Sequence, residues 1–355
     1  MAKVGIPIAK LGPLVALKSW TLCIGAGTSQ PMFPSWRSLV QLMIEKDRGL
    51  TAAKRLISPL TKTFGLDTLI QAGRDRLRLE PDEFAKQLSE HLYAGVKNTL
   101  SSKEWKAFRQ SLASNHPGEL TPGKWQEFLG IVESKFGQVT ALPLARVVFD
   151  LIGTEKQPYA ILTFNAEPLL YALVNAMAAT AVVPGIATAA TAKAVLDRVT
   201  RSVSSRNGNR IPYVFCHGLL PVEVKTTRKR AAVDKLVFAE SDYLQIANSG
   251  FSWQSSVFFE TCMSRTVIFV GLSFSDPNLR RWLGIMHHNR LSELAIMGER
   301  VLDSAPHYWL RKAPTSKAER QWVESAVAHL GVRLVWLDDW DQSGLAIQKM
   351  LGIAC

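Results

Sequence analysis

Cysteine is scarce in this chain of 355 residues. There are four, at Cys23, Cys216, Cys262 and Cys355, and no two of them form a C-x-x-C pair. That spacing argues against a zinc ribbon, and the low density argues against a disulfide framework. The seven histidines show no H-E-x-x-H or related ligand pattern. His287 and His288 are adjacent in an expected helix, where neighbouring side chains point apart, so no metal is expected. The ~18 uninterrupted apolar residues that a membrane helix needs are also missing. The richest apolar stretch, Leu169 to Ala190, holds Asn175, Thr180, Pro184 and Thr188 and reads as buried helix. The N-terminal MAKVGIPIAKLGPLVALKSW has an early lysine but no small-residue cleavage site after a continuous hydrophobic core. Neither a signal peptide nor a membrane partner is expected, and the cytoplasm is the default location. No internal repeat or low-complexity linker divides the chain.

What the chain does have is a composition of 47% apolar and 20% charged residues, that of a globular protein with a sizeable core. The length allows one large domain or two modest ones. Net charge is +12. Between Asp197 and Lys235 nine basic residues (198, 201, 206, 210, 225, 228, 229, 230 and 235) face three acids (197, 223 and 234). Two readings stand side by side: a solvated loop region, or a surface for an anionic partner, either nucleic acid or the acidic face of another subunit.

Short apolar runs mark strands at Trp20–Ile24, Tyr159–Thr163, Tyr213–Cys216, Leu236–Phe238, Thr266–Val270, Ala305–Leu310 and Val332–Leu337. Most lack polar alternation, as strands buried on both faces do. Helical patterns fall at Ser35–Lys46, with Ser35 as N-cap, and at Asp82–Asn98, Pro122–Lys135, Leu144–Ile152, Pro168–Ala179, Ala192–Ser204, Asp242–Ser249, Gln254–Ser264, Pro277–Leu291 and Ser316–Leu330. Alternating strands and helices predict an α/β fold, a parallel sheet covered by helices. More than a hundred mostly helical residues separate the first two strands, which predicts an inserted helical subdomain at about 47–143. SSRNGNR, Ser204 to Arg210, carries an Asn-Gly turn in a basic connection. The expectation is one core with insertions, spanning 1–355.

Four strand ends carry small or polar groups. After the first strand stands Gly25-Ala26-Gly27-Thr28-Ser29. Two glycines there remove side chains where backbone must approach a ligand, and amides at a helix start can hold a pyrophosphate. The third glycine of G-x-G-x-x-G is replaced by Gln30. An ordinary tight turn explains the pair equally well. The second stretch, ILTFNAEPLL, ends a strand in Asn165, at the edge where open α/β sheets bind ligands; a turn or cap role is the simpler account of it. The third, YVFCHGLLP, ends in His217-Gly218, which suits general-base work but also suits a buried, hydrogen-bonded imidazole. In the fourth, VIFVGLSFSDPNLRRWL, Asp276 caps a helix that starts at Pro277, while Gly271 and Ser273 are free to approach a ribose.

Taken in order, these stretches resemble the sirtuin-like family of bacterial NAD hydrolases. The resemblance rests on Gly25–Ser29, Pro34–Trp36, Thr163–Glu167, His217–Gly218 and Val270–Pro277, and on VFAESDYLQIA with its Glu240-x-x-Tyr243. It covers about residues 20 to 340. Two departures stand out: Met32-Phe33 replace a glycine before Pro-Ser-Trp, and Glu167 replaces the commoner Asp. The resemblance implies a Rossmann-like core that takes NAD as substrate, with no metal. The Gly25–Ser29 loop, Trp36 and Glu167 would belong to the cofactor site. The adenosine ribose would lie near Gly271 and Ser273, with Asp276 as cap and loop support. Asn165 would orient the nicotinamide ribose and the attacking water, and neutral His217 would accept a proton. Products would be nicotinamide and ADP-ribose. The resemblance further implies a homo-oligomeric effector of antiphage defence by abortive infection, held in check by a partner such as a HerA-type ATPase or another sensor subunit. Two alternatives remain: a non-catalytic NAD or ADP-ribose-binding subunit, and an NAD-dependent protein deacylase. The deacylase is disfavoured because the paired cysteines of such enzymes are absent.

Overall fold

A computed structural model describes residues 5–14, 20–181, 195–200, 210–222, 236–248, 252–298 and 306–353. Its eight strands are β1 (Ile6–Pro7), β2 (Trp20–Ile24), β3 (Ala160–Thr163), β4 (Leu196–Val199), β5 (Ile211–Phe215), β6 (Thr266–Val270), β7 (His307–Lys312) and β8 (Val332–Leu337). They form one sheet in the order β1-β8-β7-β6-β2-β3-β5-β4, and every pair is parallel. The chain builds outward from β2 on one side, through β3, then returns to β6 on the other. β2 is therefore the topological switch point, and the crevice for a ligand lies beyond the carboxyl ends of its neighbours. This is a Rossmann-like α/β fold.

Both faces of the sheet are buried, which explains the near-continuous apolar strands. Alternate residues serve two separate cores. Trp20, Leu22, Ile24, Ile268 and Val270 face one, and Cys23, Val267 and Phe269 face the other. The first core is covered by α7 (Ala141–Leu151), α8 (Leu169–Thr180) and α13 (Ser343–Met350), and the second by α10 (Trp253–Ser264), α11 (Pro277–Ile296) and α12 (Lys317–Ala328).

Between β2 and β3 come α1 (Trp36–Arg48) and then the inserted helices α2 (Leu50–Thr63), α3 (Leu66–Arg76), α4 (Pro81–Thr99), α5 (Ser102–Ala113) and α6 (Pro122–Phe136). Their starts follow local chemistry. Ser35 caps α1 by accepting from the Ser38 amide, and Ser101 with Glu104 forms a full capping box on α5. The insertion is tied to the core through α4. Ser89 Oγ donates to the Pro221 carbonyl at 2.7 Å and Tyr93 Oη to the Leu220 carbonyl at 3.0 Å, gripping the segment that follows β5.

Two expectations are corrected. The helix expected over Ala192–Ser204 is instead strand β4 among the described residues. Leu196 and Val199 are spaced as on a helix, but Leu196 pairs with Ile211 and Val199 with Val214, extending the sheet edge. Tertiary pairing overrides a four-residue local pattern. The strand expected over Leu236–Phe238 is absent. That segment runs past the sheet's carboxyl edge, where the Val237 amide donates to the His217 carbonyl at 3.0 Å and Phe238 stacks on Trp36. Of the nine basic residues of the 197–235 region, Arg198 and Arg210 are described, and the other seven lie outside the described residues, as does most of the SSRNGNR turn. Among the described residues no helix is long and apolar enough to cross a membrane.

Candidate active site

Register brings the four predicted stretches together. Ile24 pairs with Thr163 on one side and Val270 on the other, and Thr163 pairs with Phe215. The residues that follow, Gly25, Phe164–Asn165, Cys216–His217 and Gly271, therefore leave the sheet at one level.

The glycine turn packs against the chain's own backbone. Gly25 N donates to Val270 O at 3.0 Å, Gly27 N to Gly271 O at 2.9 Å, and Thr28 N to Gly25 O at 2.9 Å. A Cβ on Gly27 would sit 2.8 Å from Gly271 O. At Gly271 φ is +70°, and a Cβ would meet Thr28 N at 2.5 Å. The missing side chains thus let the β2 and β6 turns interlock, and three amides of the Gly25–Ser29 turn are occupied within the protein. Ser273 is exposed and pairs with Ser275, while Gly271 packs under the turn. Neither lines the pockets described below.

Asn165 and Glu167 anchor a buried polar cluster. Glu167 Oε1 accepts from Ser29 Oγ and from Asn165 Nδ2, the latter at 2.9 Å, and its Oε2 accepts from the Leu169 amide at 2.5 Å. Asn165 Nδ2 also lies 3.2 Å from Thr28 Oγ1 and from Ser29 Oγ. The carboxylate fixes the amide's orientation, because a flipped amide would set oxygen against oxygen. Asn165 Oδ1 is then a buried acceptor with no partner among the described residues. Burial pushes the Glu167 carboxyl up to about 7, against the three hydrogen bonds that favour its anion. This cluster floors a small pocket walled by Phe33, Trp36, Leu92, Phe164 and Phe238. Met32 and Phe33 are both buried in the core, and Phe33 also lines this pocket, edge-on to Tyr93.

His217 occupies a different environment. Phe164, Tyr243 and Trp36 meet its ring edge to face, with centroids 4.8, 5.4 and 6.2 Å away. Burial pushes its pKa down to about 3, so the imidazole is neutral. Nδ1 has no partner among the described residues, and Nε2 lies 3.7 Å from Asp276 Oδ2. The second pocket, smaller still, is lined by His217, Tyr243, Gln254, Asp276, Asn278 and Trp282, and Phe164 lines it as well as the first. The structure thus brings Asn165 and His217 to one edge but into separate pockets, with Phe164 lining both. Sequence reasoning missed Phe164, whose position immediately before Asn165 was the only signal. It also missed Gln254 and Trp282, which lie on helices with no local mark of function. Among the described residues no group of three or more His, Cys, Asp or Glu is placed to hold a metal ion.

The chain is a doubly wound α/β protein with polar atoms unpaired among the described residues at its switch point, the place where such sheets bind ligands. Comparison with known families narrows that class. A family model described as a SIR2-like domain matches residues 179–330, supporting a sirtuin-like protein. The matched region holds His217 and the Gly271–Pro277 turn, but neither the glycine turn after β2 nor Asn165. No curated protein matches the chain.

Proposed function

We propose that the protein hydrolyses NAD at the bond between nicotinamide and ribose, releasing nicotinamide and ADP-ribose. One observation carries this reading: two buried polar atoms without a partner among the described residues, Asn165 Oδ1 and His217 Nδ1, stand at the switch point of the sheet. The SIR2-like match supports NAD as the ligand. In the reaction, the C–N bond breaks and its electron pair goes to the nicotinamide ring nitrogen, neutralising the pyridinium. Water supplies the new bond to the ribose carbon and gives up a proton. Asn165 Oδ1 accepts from a ribose hydroxyl or from the water and positions it. His217, neutral through burial, takes the proton, directly or through the ribose hydroxyl, a contribution of about 10²–10⁴-fold. Consumption of a shared cofactor has to be restrained in a cell, so we place its control in a partner subunit and its role in antiphage defence.

A binding-only role for NAD or ADP-ribose is favoured by one feature, the placement of Asn165 and His217 in separate pockets that share Phe164. Purified protein incubated with a fluorescent NAD analogue, alone and with its candidate ATPase partner, separates the two. Cleavage that is lost in both His217→Ala and Asn165→Ala is the expected result. Analogue that binds without ever being cleaved establishes the binding-only role, and cleavage at the wild-type rate by His217→Ala removes the histidine from the reaction.

A further inference from the structure

We infer that Asp276 is a positioning residue that fixes the tautomer of His217, placing the proton on Nε2 and leaving Nδ1 as the atom that accepts the substrate's proton. The inference rests on the reading of the site as an NAD hydrolase, but its geometry stands alone. Asp276 divides its two carboxylate oxygens. Oδ1 caps α11, accepting from the Asn278 amide at 2.8 Å and the Leu279 amide at 3.3 Å. Those bonds lock the side chain and turn Oδ2 toward Nε2 of His217, 3.7 Å away. A helix cap needs one oxygen only, and Asn or Ser would supply it. The second oxygen is what the cap does not explain.

Around His217 the three aromatic edges of Phe164, Tyr243 and Trp36 restrict the ring's rotation but discriminate weakly between its two nitrogens. Asp276 discriminates. An N–H at Nε2 points a positive dipole at the carboxylate, whereas a lone pair there points negative charge at it in a site sheltered from water. At 3.7 Å the contact is longer than a hydrogen bond, a spacing common in ligand-free sites that tighten around substrate. With Nε2 protonated, Nδ1 carries the free lone pair, and Nδ1 is the nitrogen left buried without a partner among the described residues. The division of labour is that of an acid–histidine pair: the carboxylate selects the tautomer and the imidazole moves the proton.

The test uses Asp276→Asn and Asp276→Ser, which keep a capping oxygen and remove the second carboxylate oxygen. Long-range proton–nitrogen correlation spectra report the imidazole tautomer, with His217 assigned by its loss in His217→Gln. The expected result is an Nε2–H tautomer in the wild type and a shifted or mixed tautomer in both Asp276 variants. Thermal midpoints should stay close to wild type, kcat for NAD should fall about 10²-fold, and KM should change little. A wild-type Nδ1–H tautomer overturns the inference, and so do capped variants that keep both tautomer and kcat. Wild-type protein that shows the expected tautomer switch yet never cleaves NAD overturns the hydrolase reading and leaves the assignment of Asp276 intact.

Discussion

The two sides of Phe164 are equally buried and are built in opposite ways. On the Asn165 side, hydrogen bonds do the holding: Glu167 collects Ser29, Asn165 and the Leu169 amide, and Asn165 Oδ1 has no partner among the described residues. On the His217 side, aromatic edges do the holding, and Asp276 at 3.7 Å is the one acid within ion-pair reach among the described residues. Burial acts on both with the same physics and opposite sign. It pushes the Glu167 carboxyl up to about 7 and the His217 imidazole down to about 3, favouring the neutral form each time. A ligand entering from the polar side meets directional groups that orient it; one reaching the aromatic side meets a neutral base.

Breaking either side should reveal that difference. His217→Ala and Asn165→Ala should each cost about 10²–10⁴-fold in NAD cleavage. Asn165→Ala should also lower stability by about 1–3 kcal/mol, because it strips a donor from buried Glu167; urea unfolding checks this. Phe164→Ala, which removes a ring lining both pockets and its contact with Phe258, should cost about 3–5 kcal/mol in the same measurement.

The pH dependence separates the sides by sign. Glu167, ordinarily near 4.5 and here raised to about 7, contributes stability that is present at low pH and lost as pH rises toward 7. His217, ordinarily 6.5 and here lowered to about 3, contributes stability present above 6.5 and lost as pH falls toward 3, and buried His307 adds to that acid-side loss. Glu167→Gln should therefore gain thermal midpoint relative to wild type between about pH 5 and pH 7, whereas His217→Asn should gain it on the acid side. A Glu167→Gln difference that is flat across that window would show the carboxyl ionised throughout. The smallest effect, about 1 kcal/mol, is expected for Ser35→Ala, which removes the cap of the helix carrying Trp36, an aromatic neighbour of His217 that also lines the Asn165 pocket.

The fold was largely legible in the sequence. Strands buried on both faces announce themselves as short apolar runs, and β2, β3, β5, β6, β7 and β8 all lie where such runs fall. β4 was not legible, because four residues with apolar ends cannot specify a strand without Ile211–Phe215 beside them. Helices α2, α3, α5 and α13 were not delimited individually, although α2 and α5 carry an apolar stripe as regular as that of α4, whose extent was read from the sequence. At the site, Asn165, His217 and Asp276 were marked by their places at strand ends and helix starts, and Glu167 by the resemblance alone. Phe164 was not, because an aromatic at the end of an apolar strand looks like core until its neighbours are known.

TLCIGAGTS shows where the division falls. The local sequence determined a strand, a tight turn and a helix to follow, because apolar runs, glycine and a serine cap act within a few residues of themselves. Only the tertiary structure decided what the glycines are for. Gly27 and Gly271 are 244 positions apart in sequence, yet the amide of one donates to the carbonyl of the other at 2.9 Å. It also decided that Asp276 meets His217 and that Phe164 lines the pockets of both His217 and Asn165. Those relations depend on which strands lie side by side, and the parallel register across β6, β2, β3 and β5 sets them through long-range pairing that no short stretch encodes.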